Sequence, residues 1–122
     1  MKLSYVLEIL DGELLCGEDR IETEIEYGYS CDLMSDVLAF IRNNDLLLTG
    51  LVHPQVIRTA EMLDIKSIVF VRGKKPSEDM IEIANDLGMV ILTTKHSLFT
   101  ASGILFQHGL LGEEIAHDEI TL

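Results

Sequence analysis

Basic residues are scarce in this chain, which has nine lysines and arginines against 21 aspartates and glutamates and a net charge of −12. A field of that sign repels the phosphate backbone of nucleic acids and the anionic surface of membranes. Nucleic acid and membranes are therefore not expected as partners. A small anion could be held only where positive charge is concentrated locally.

Cysteine is rare too, since Cys16 and Cys31 are the only two. Neither has a histidine or a second cysteine at metal-ligand spacing, so no metal and no cofactor is predicted. With no basic and hydrophobic leader, the two cysteines are expected to be reduced thiols in a cytoplasmic protein.

No apolar run approaches the roughly 20 residues that span a bilayer. The 122 residues, 48% of them hydrophobic, predict one globular domain.

Short apolar runs alternate with helical patterns along the chain. Buried strands are predicted over 46–49, 67–71 and 89–92. Apolar residues recur at helical spacing over 3–10, 34–41, 54–63, 77–87 and 97–107. A short strand over 13–16 and an alternating strand over 21–27 complete the pattern, and Ser30 or Asp32 is expected to cap the second helix. The fold class predicted is α/β, in three layers, with a mainly parallel sheet flanked by helices on both faces.

Ligands of such sheets bind outside the carboxyl ends of the strands. Arg72, Lys74 and Lys75 follow one predicted strand and place three of the nine basic residues within four positions, around Gly73. Backbone amides, a helix dipole and cationic side chains can converge there on a phosphate or a carboxylate. The alternative is a solvated loop whose charges only balance acidic neighbours.

Two histidines are predicted at the same edge, because His53 follows Thr49-Gly50 and His96 follows Thr93-Thr94-Lys95. Imidazoles titrate near neutrality and can bind metal or transfer protons; loop histidines without such a role are the alternative. The nucleotide-binding, metalloprotease and nucleophile-elbow motifs are absent, so no catalytic residue is predicted. The candidate ligand-binding residues are Thr49, His53, Arg72, Gly73, Lys74, Thr94 and His96.

The last predicted helix has an apolar surface too wide for one contact. Leu98, Ala101 and Leu105 share one face, and three further large apolar residues lie elsewhere around the circumference. Burial on two sides within the monomer and docking on a second subunit both account for this width. A homodimer is one expectation, and an acidic tail over 111–122 follows the helix. The candidate interface residues are Phe99, Ile104 and Phe106.

Three stretches resemble a known family. They are Tyr-Gly-Tyr-Ser-Cys-Asp-Leu-Met-Ser-Asp-Val at 27–37, Leu-Thr-Gly-Leu-Val-His-Pro at 48–54, and Ile-Leu-Thr-Thr with Ser-Leu-Phe-Thr between 91 and 100. They are similar to the DRTGG domain, and the resemblance predicts a DRTGG-like α/β domain over 1–110. Members stand alone or accompany phosphate acetyltransferases, HPr kinase/phosphorylases and pyrophosphatases with paired CBS domains. The resemblance implies a regulatory domain, because the attached domain carries the chemistry in those proteins.

The chain departs from the motif that names the family. It has His53-Pro54 where the family usually has Asp-Arg, and Val71-Arg72-Gly73 where Thr-Gly-Gly is usual. If that motif forms a ligand pocket, the resemblance implies that this member recognises something different, with Arg72 supplying charge in place of glycine.

The predicted function is therefore a non-catalytic regulatory domain that senses a small anion or nucleotide, mediates oligomerisation, or both, and acts on a separate metabolic enzyme. Two alternatives stay open. A small phosphoryl-transfer or hydrolytic enzyme would need His53 or His96 within hydrogen-bond reach of the other imidazole or of a carboxylate. A structural interaction domain would dock on a partner through its final helix and acidic tail.

Overall fold

The computed structural model describes residues 1–41 and 45–112. In chain order its elements are α1 (Leu3–Ile9), β1 (Glu13–Cys16), a 3₁₀ helix (Glu18–Arg20), β2 (Gly28–Ser30), α2 (Met34–Phe40), β3 (Leu46–Thr49), α3 (Pro54–Met62), β4 (Ser67–Phe70), α4 (Glu78–Asp86), β5 (Val90–Thr93) and α5 (Leu98–Gln107). The strand order is β1-β5-β4-β3-β2. β2, β3, β4 and β5 run parallel, and β1 is antiparallel to β5.

Helices cover both faces of the sheet, because alternate residues of each buried strand point to opposite sides. α2, α3 and α4 pack on one face, in a cluster that includes Val37, Val56, Ala84, Leu47, Ile68 and Ile91. α1 and α5 pack on the other face, in a cluster that includes Val6, Ala101, Leu105, Leu48, Val69 and Leu92. The predicted three-layer α/β fold is confirmed.

The helices that follow β4 and β5 begin with serine caps. Ser77 caps α4 and Ser97 caps α5, and each hydroxyl accepts a hydrogen bond from the backbone N–H three residues further along. Gly109 follows α5 with a φ of 108°, a left-handed conformation that glycine adopts without strain. These local signals explain why the predicted helices at 77–87 and 97–107 form.

The predicted strand over 21–27 is wrong. The segment makes single bridges instead of a ladder, and the strand at this edge is β2, which begins at Gly28, directly after the predicted strand. The Asp45 carboxylate accepts from the backbone N–H groups of Glu26 and Tyr27 at 2.7 and 3.2 Å. A side chain therefore satisfies amides that a strand partner would otherwise have bound.

The predicted cap of α2 is also wrong. Leu33 precedes the helix and makes no side-chain cap bond. The Asp32 carboxylate binds the end of β3, and Oγ of Ser30 lies 2.6 Å from Oγ of Ser102 in α5. Tertiary partners take both polar groups away from the helix terminus.

Both cysteines are free. Cys16 is buried, its thiol donates to the Met89 carbonyl over 3.6 Å, and burial raises the pKa of this thiol. Of the predicted acidic tail, only Leu111 and Gly112 are described, and 113–122 lie outside the described residues. Among the helices that the structure describes, none has the length and apolar character needed to cross a bilayer.

Candidate functional site

The loops after β3, β4 and β5 lie side by side at one edge of the sheet. Backbone hydrogen bonds join them. The N–H of Val71 donates to the Thr49 carbonyl over 3.1 Å, the N–H of Arg72 to the His96 carbonyl over 2.8 Å, and the N–H of Gly73 to the Thr94 carbonyl over 2.7 Å. The parallel register therefore brings together the loops on which the candidate ligand-binding residues lie. We call this edge the strand-end rim, which consists of residues 49–53, 71–75 and 94–97.

The guanidinium of Arg72 reaches from the loop after β4 to the loop after β3. It rests against Gly50 of the neighbouring loop, since a Cβ added at Gly50 would stand 3.1 Å from Cζ of Arg72. The backbone of Arg72 has a φ of 61°, which is uncommon for a residue other than glycine, and Gly73 follows with a φ of 70°. Arg72 is exposed, and its side chain has no ion pair or hydrogen bond to any residue that the structure describes.

Three lysines lie on the same rim as Arg72. Lys74 and Lys95 are exposed and make no ion pair within the described ranges, whereas Lys75 pairs with Glu13 at 3.0 Å. A Cβ added at Gly73 would lie 3.9 Å from Cγ of Lys95, so the Lys95 side chain runs past that glycine. Four of the nine basic residues thus lie on the rim. Only Lys75 of these four residues pairs with a described carboxylate. The alternative interpretation, a loop whose charges only balance acidic neighbours, therefore has little support from the ion pairs.

Asp32 belongs to this site, although the sequence pattern predicted only a helix cap for it. Its Oδ1 accepts from the Gly50 N–H at 2.7 Å and from the Thr49 hydroxyl at 3.1 Å. The Thr49 hydroxyl oxygen in turn accepts from the Leu51 N–H at 3.1 Å. These bonds hold the loop against which the Arg72 guanidinium rests. The signal that could have found Asp32 is its place just after β2, a strand parallel to β3.

The two rim threonines hold the loops in place. Thr94 is buried, and its hydroxyl donates to the Leu10 carbonyl at 2.7 Å, which ties the loop after β5 to the end of α1. The Thr49 hydroxyl is bound to Asp32 in the same way. The exposed rim side chains include the four cations and the imidazole of His53.

The two histidines lie on the rim but are not joined. His53 precedes α3, and its Nδ1 accepts from the Gln55 N–H at 3.0 Å, which requires an imidazole unprotonated at Nδ1. His96 is partly buried and has no side-chain hydrogen bond to another described residue. In the described part of the chain, neither imidazole forms a hydrogen bond with the other imidazole or with a carboxylate. Among the same residues, no group of three or more His, Cys, Asp or Glu side chains is placed to hold a metal ion.

The candidate interface residues differ in exposure. Phe99 is 88% exposed and Phe106 is 71% exposed, whereas Ile104 is half-buried and packs against the core beneath α5. Ser102 and Gly103 lie between the two phenylalanines and line a groove of about 330 Å³ between α5 and β2. We call this the α5 groove. α5 carries no charged residue, so its outer face is neutral in a strongly acidic chain.

Comparison with known proteins identifies the fold family. The family model of the DRTGG domain matches residues 5–108. The chain belongs to the DRTGG domain family. The predicted resemblance is thereby confirmed. The two stretches interpreted above as departures from the DRTGG motif, His53-Pro54 and Val71-Arg72-Gly73, lie at the start of α3 and in the neighbouring loop after β4.

A solved structure of similar fold contains a DRTGG domain. It is that of the CBS and DRTGG domains of the regulatory region of Clostridium perfringens pyrophosphatase, complexed with the activator diadenosine tetraphosphate. The TM-score is 0.70 at 21% sequence identity, over 90% of this chain and 50% of that one. The chain therefore spans about half the length of that structure, and the likeness shows the fold. A search of curated proteins found no match.

Proposed function

We propose that this DRTGG domain is a non-catalytic regulatory domain that binds a small phosphate-bearing anion, such as a nucleotide, at the strand-end rim. The exposed guanidinium of Arg72, without an acidic partner among the described residues, carries the proposal. Lys74 and Lys95 stand on the same rim in a chain of net charge −12. An anion that binds there gains charge-assisted hydrogen bonds without displacing a described ion pair. The pyrophosphatase regulatory region with its bound nucleotide supports this class of ligand.

Regulation follows if the ligand binds one arrangement of subunits more tightly than another. α5 begins one residue after Ser97, at the end of the rim, and carries Phe99 and Phe106 on its exposed face. A ligand held between Arg72 and the loop after β5 would therefore act on the helix that we propose as the contact in a homodimer. The enzyme that it regulates is a separate cytoplasmic protein in this proposal.

The alternatives differ in their support. No hydrogen bond of the described residues favours an enzyme that uses His53 or His96, since neither imidazole meets a carboxylate or the other imidazole. The exposure of Phe99 and Phe106 does favour an interaction domain. That role is compatible with ligand sensing, and it is tested separately below.

Titration calorimetry with ATP and with tripolyphosphate tests the rim. Arg72→Gln is expected to weaken both affinities by roughly ten- to a hundredfold, because hydrogen bonds between charged groups contribute about 1.5–3 kcal/mol. Lys66→Gln is the matched control. It removes the same charge at the opposite end of β4, where Lys66 donates to the Leu87 carbonyl.

The control variant is expected to bind both anions like the natural sequence at constant salt. An equal loss in the two variants would assign binding to overall charge and contradict the proposal. So would the absence of any heat or thermal shift for the natural sequence at millimolar ATP and tripolyphosphate.

A further inference from the structure

A second groove lies between α3 and α4, on the opposite face of the sheet from α5. It has a volume of about 380 Å³, and its lining is mostly apolar. Ile57 and Met80, which line it, are buried, whereas Ile83 is 53% exposed. More than half of a large aliphatic side chain is thus open to solvent within a concave surface, which we call the α3–α4 groove.

One end of this groove adjoins the strand-end rim. Pro54 and Ser77 line the groove; Pro54 directly follows His53 of the rim, and Ser77 stands two residues after Lys75 of the rim. α3 begins at Pro54, and Ser77 caps α4. Both helices therefore lead away from the rim with the groove between them.

Polar groups of opposite sign border the groove. Arg58 and Glu61 of α3 and Asp79 of α4 line it and are exposed. Among the residues that the structure describes, none of the three forms an ion pair. The guanidinium can only donate hydrogen bonds, and the ionised carboxylates can only accept them. An apolar concavity with a few polar groups of both kinds is typical of small-molecule sites, which have volumes of about 300–1,000 Å³.

We propose that the α3–α4 groove binds the base of a nucleotide whose phosphates lie on the strand-end rim, an inference that rests on the proposed function. The flat faces of a nucleobase are apolar and would cover Ile83. Its edge carries both hydrogen-bond donors and acceptors, which match Glu61 or Asp79 and Arg58. A hydrocarbon chain would cover Ile83 equally well, but it would leave charged groups at the groove without partners.

The position of the groove beside the rim favours this occupant over a helix of another protein. A nucleotide joins a phosphate and a base in one small molecule, and the two adjoining concavities have the chemistry that each part requires. Inorganic polyphosphate can contact the rim alone. The groove would therefore let the domain distinguish a nucleotide from an inorganic anion of the same charge.

Methyl NMR on the full chain with labelled isoleucine tests the groove directly. Adenosine and ATP at millimolar concentration are each expected to shift the methyl signals of Ile57 and Ile83, because the aromatic base would lie beside them. Tripolyphosphate is expected to leave the Ile83 signal unchanged. Ile104 is the internal control, since it is half-buried in α5 on the other face of the sheet. Its methyl signals should not move with adenosine.

Calorimetry on Ile83→Ala separates the two parts of the ligand. The variant removes apolar surface from the groove without a change of charge. It is expected to weaken ATP affinity by roughly three- to tenfold and to leave tripolyphosphate affinity unchanged. A variant that only destabilised the fold would weaken both. Met62→Ala is the matched control, because Met62 is 73% exposed on α3 and does not line the groove. It should bind both anions like the natural sequence.

Two results would overturn the proposal. One is adenosine that leaves the Ile57 and Ile83 methyl signals in place or moves Ile104 equally, and the other is Ile83→Ala that binds ATP like the natural sequence. Shifts that follow protein concentration and not adenosine would assign the groove to a contact between copies and would also overturn it. Adenosine has no phosphate, so a rim that binds no anion would leave the adenosine shifts intact. Tripolyphosphate binding without adenosine shifts would refute the groove alone.

Discussion

Arg72 and Gly50 show how two residues that are far apart in sequence define the centre of the site. Arg72 could be predicted as a rim cation, because it follows a buried strand and precedes a helix. Its contact with Gly50 could not, since the contact depends on the register of β3 against β4 and on the direction of one long side chain. Asp32 was missed for the same reason, because its partners are 17 and 18 residues away along the chain.

Gly50→Ala is expected to displace the guanidinium without unfolding the protein. The added Cβ would meet only the end of the flexible Arg72 side chain, and the φ of Gly50 is not positive. The free energy of unfolding in urea should change by less than about 1 kcal/mol, while ATP affinity measured by calorimetry falls.

Gly103→Ala, where a Cβ meets nothing within 4 Å, is the control. It should leave ATP affinity unchanged and stabilise α5 by roughly 0.5–1 kcal/mol. Unchanged ATP affinity in Gly50→Ala would contradict the role given to this contact.

At the scale of elements, periodicity predicted the helices and the buried strands well, and it was wrong for the segment over 21–27. Alternation of polar and apolar residues records only which side chains face the core, and Ile25 is indeed buried. A strand also needs a partner backbone. Here the Asp45 carboxylate binds two of the amides, so Ile25 is buried although the segment forms no ladder.

The serine caps of the two helices that leave the rim should each contribute measurably to stability. Ser77→Ala and Ser97→Ala are each expected to lower the free energy of unfolding by about 1 kcal/mol, because each removes the acceptor for one backbone N–H. Ser35→Ala is the control, since Ser35 lies in the first turn of α2, which has no side-chain cap. Its effect in urea should stay within about 0.5 kcal/mol. Equal effects in all three variants would argue against the caps.

At the scale of the whole molecule, the distribution of charge and apolar surface favours α5 as the contact in the homodimer that we propose. A net charge of −12 opposes the approach of two copies across most of the surface. α5 has no charged residue and exposes two phenylalanines. Two copies that met at α5 would bury these phenylalanines without bringing charged residues of the helix together.

Light scattering over a wide range of concentration tests this contact. The natural sequence is expected to have the mass of a dimer, and the double variant Phe99→Ser, Phe106→Ser that of a monomer. Neither phenylalanine is buried, so the folded subunit should persist in the double variant. Met62→Ser is the control, because Met62 is 73% exposed on α3 and should not affect the dimer. A natural sequence that stays monomeric throughout would exclude this contact.

The sequence by itself determined the α/β class, the order and type of the buried elements, the edge at which the cationic loops meet and the DRTGG family. These follow from local periodicity, from caps and glycines that act within a few residues, and from short motifs. Only the tertiary structure decided the strand order, the contact of Arg72 with Gly50, the binding of Asp32 to the loop after β3 and the pairing of Leu111 with the edge of β2. Each of these joins residues far apart in the chain, and packing of the whole sheet selects such contacts.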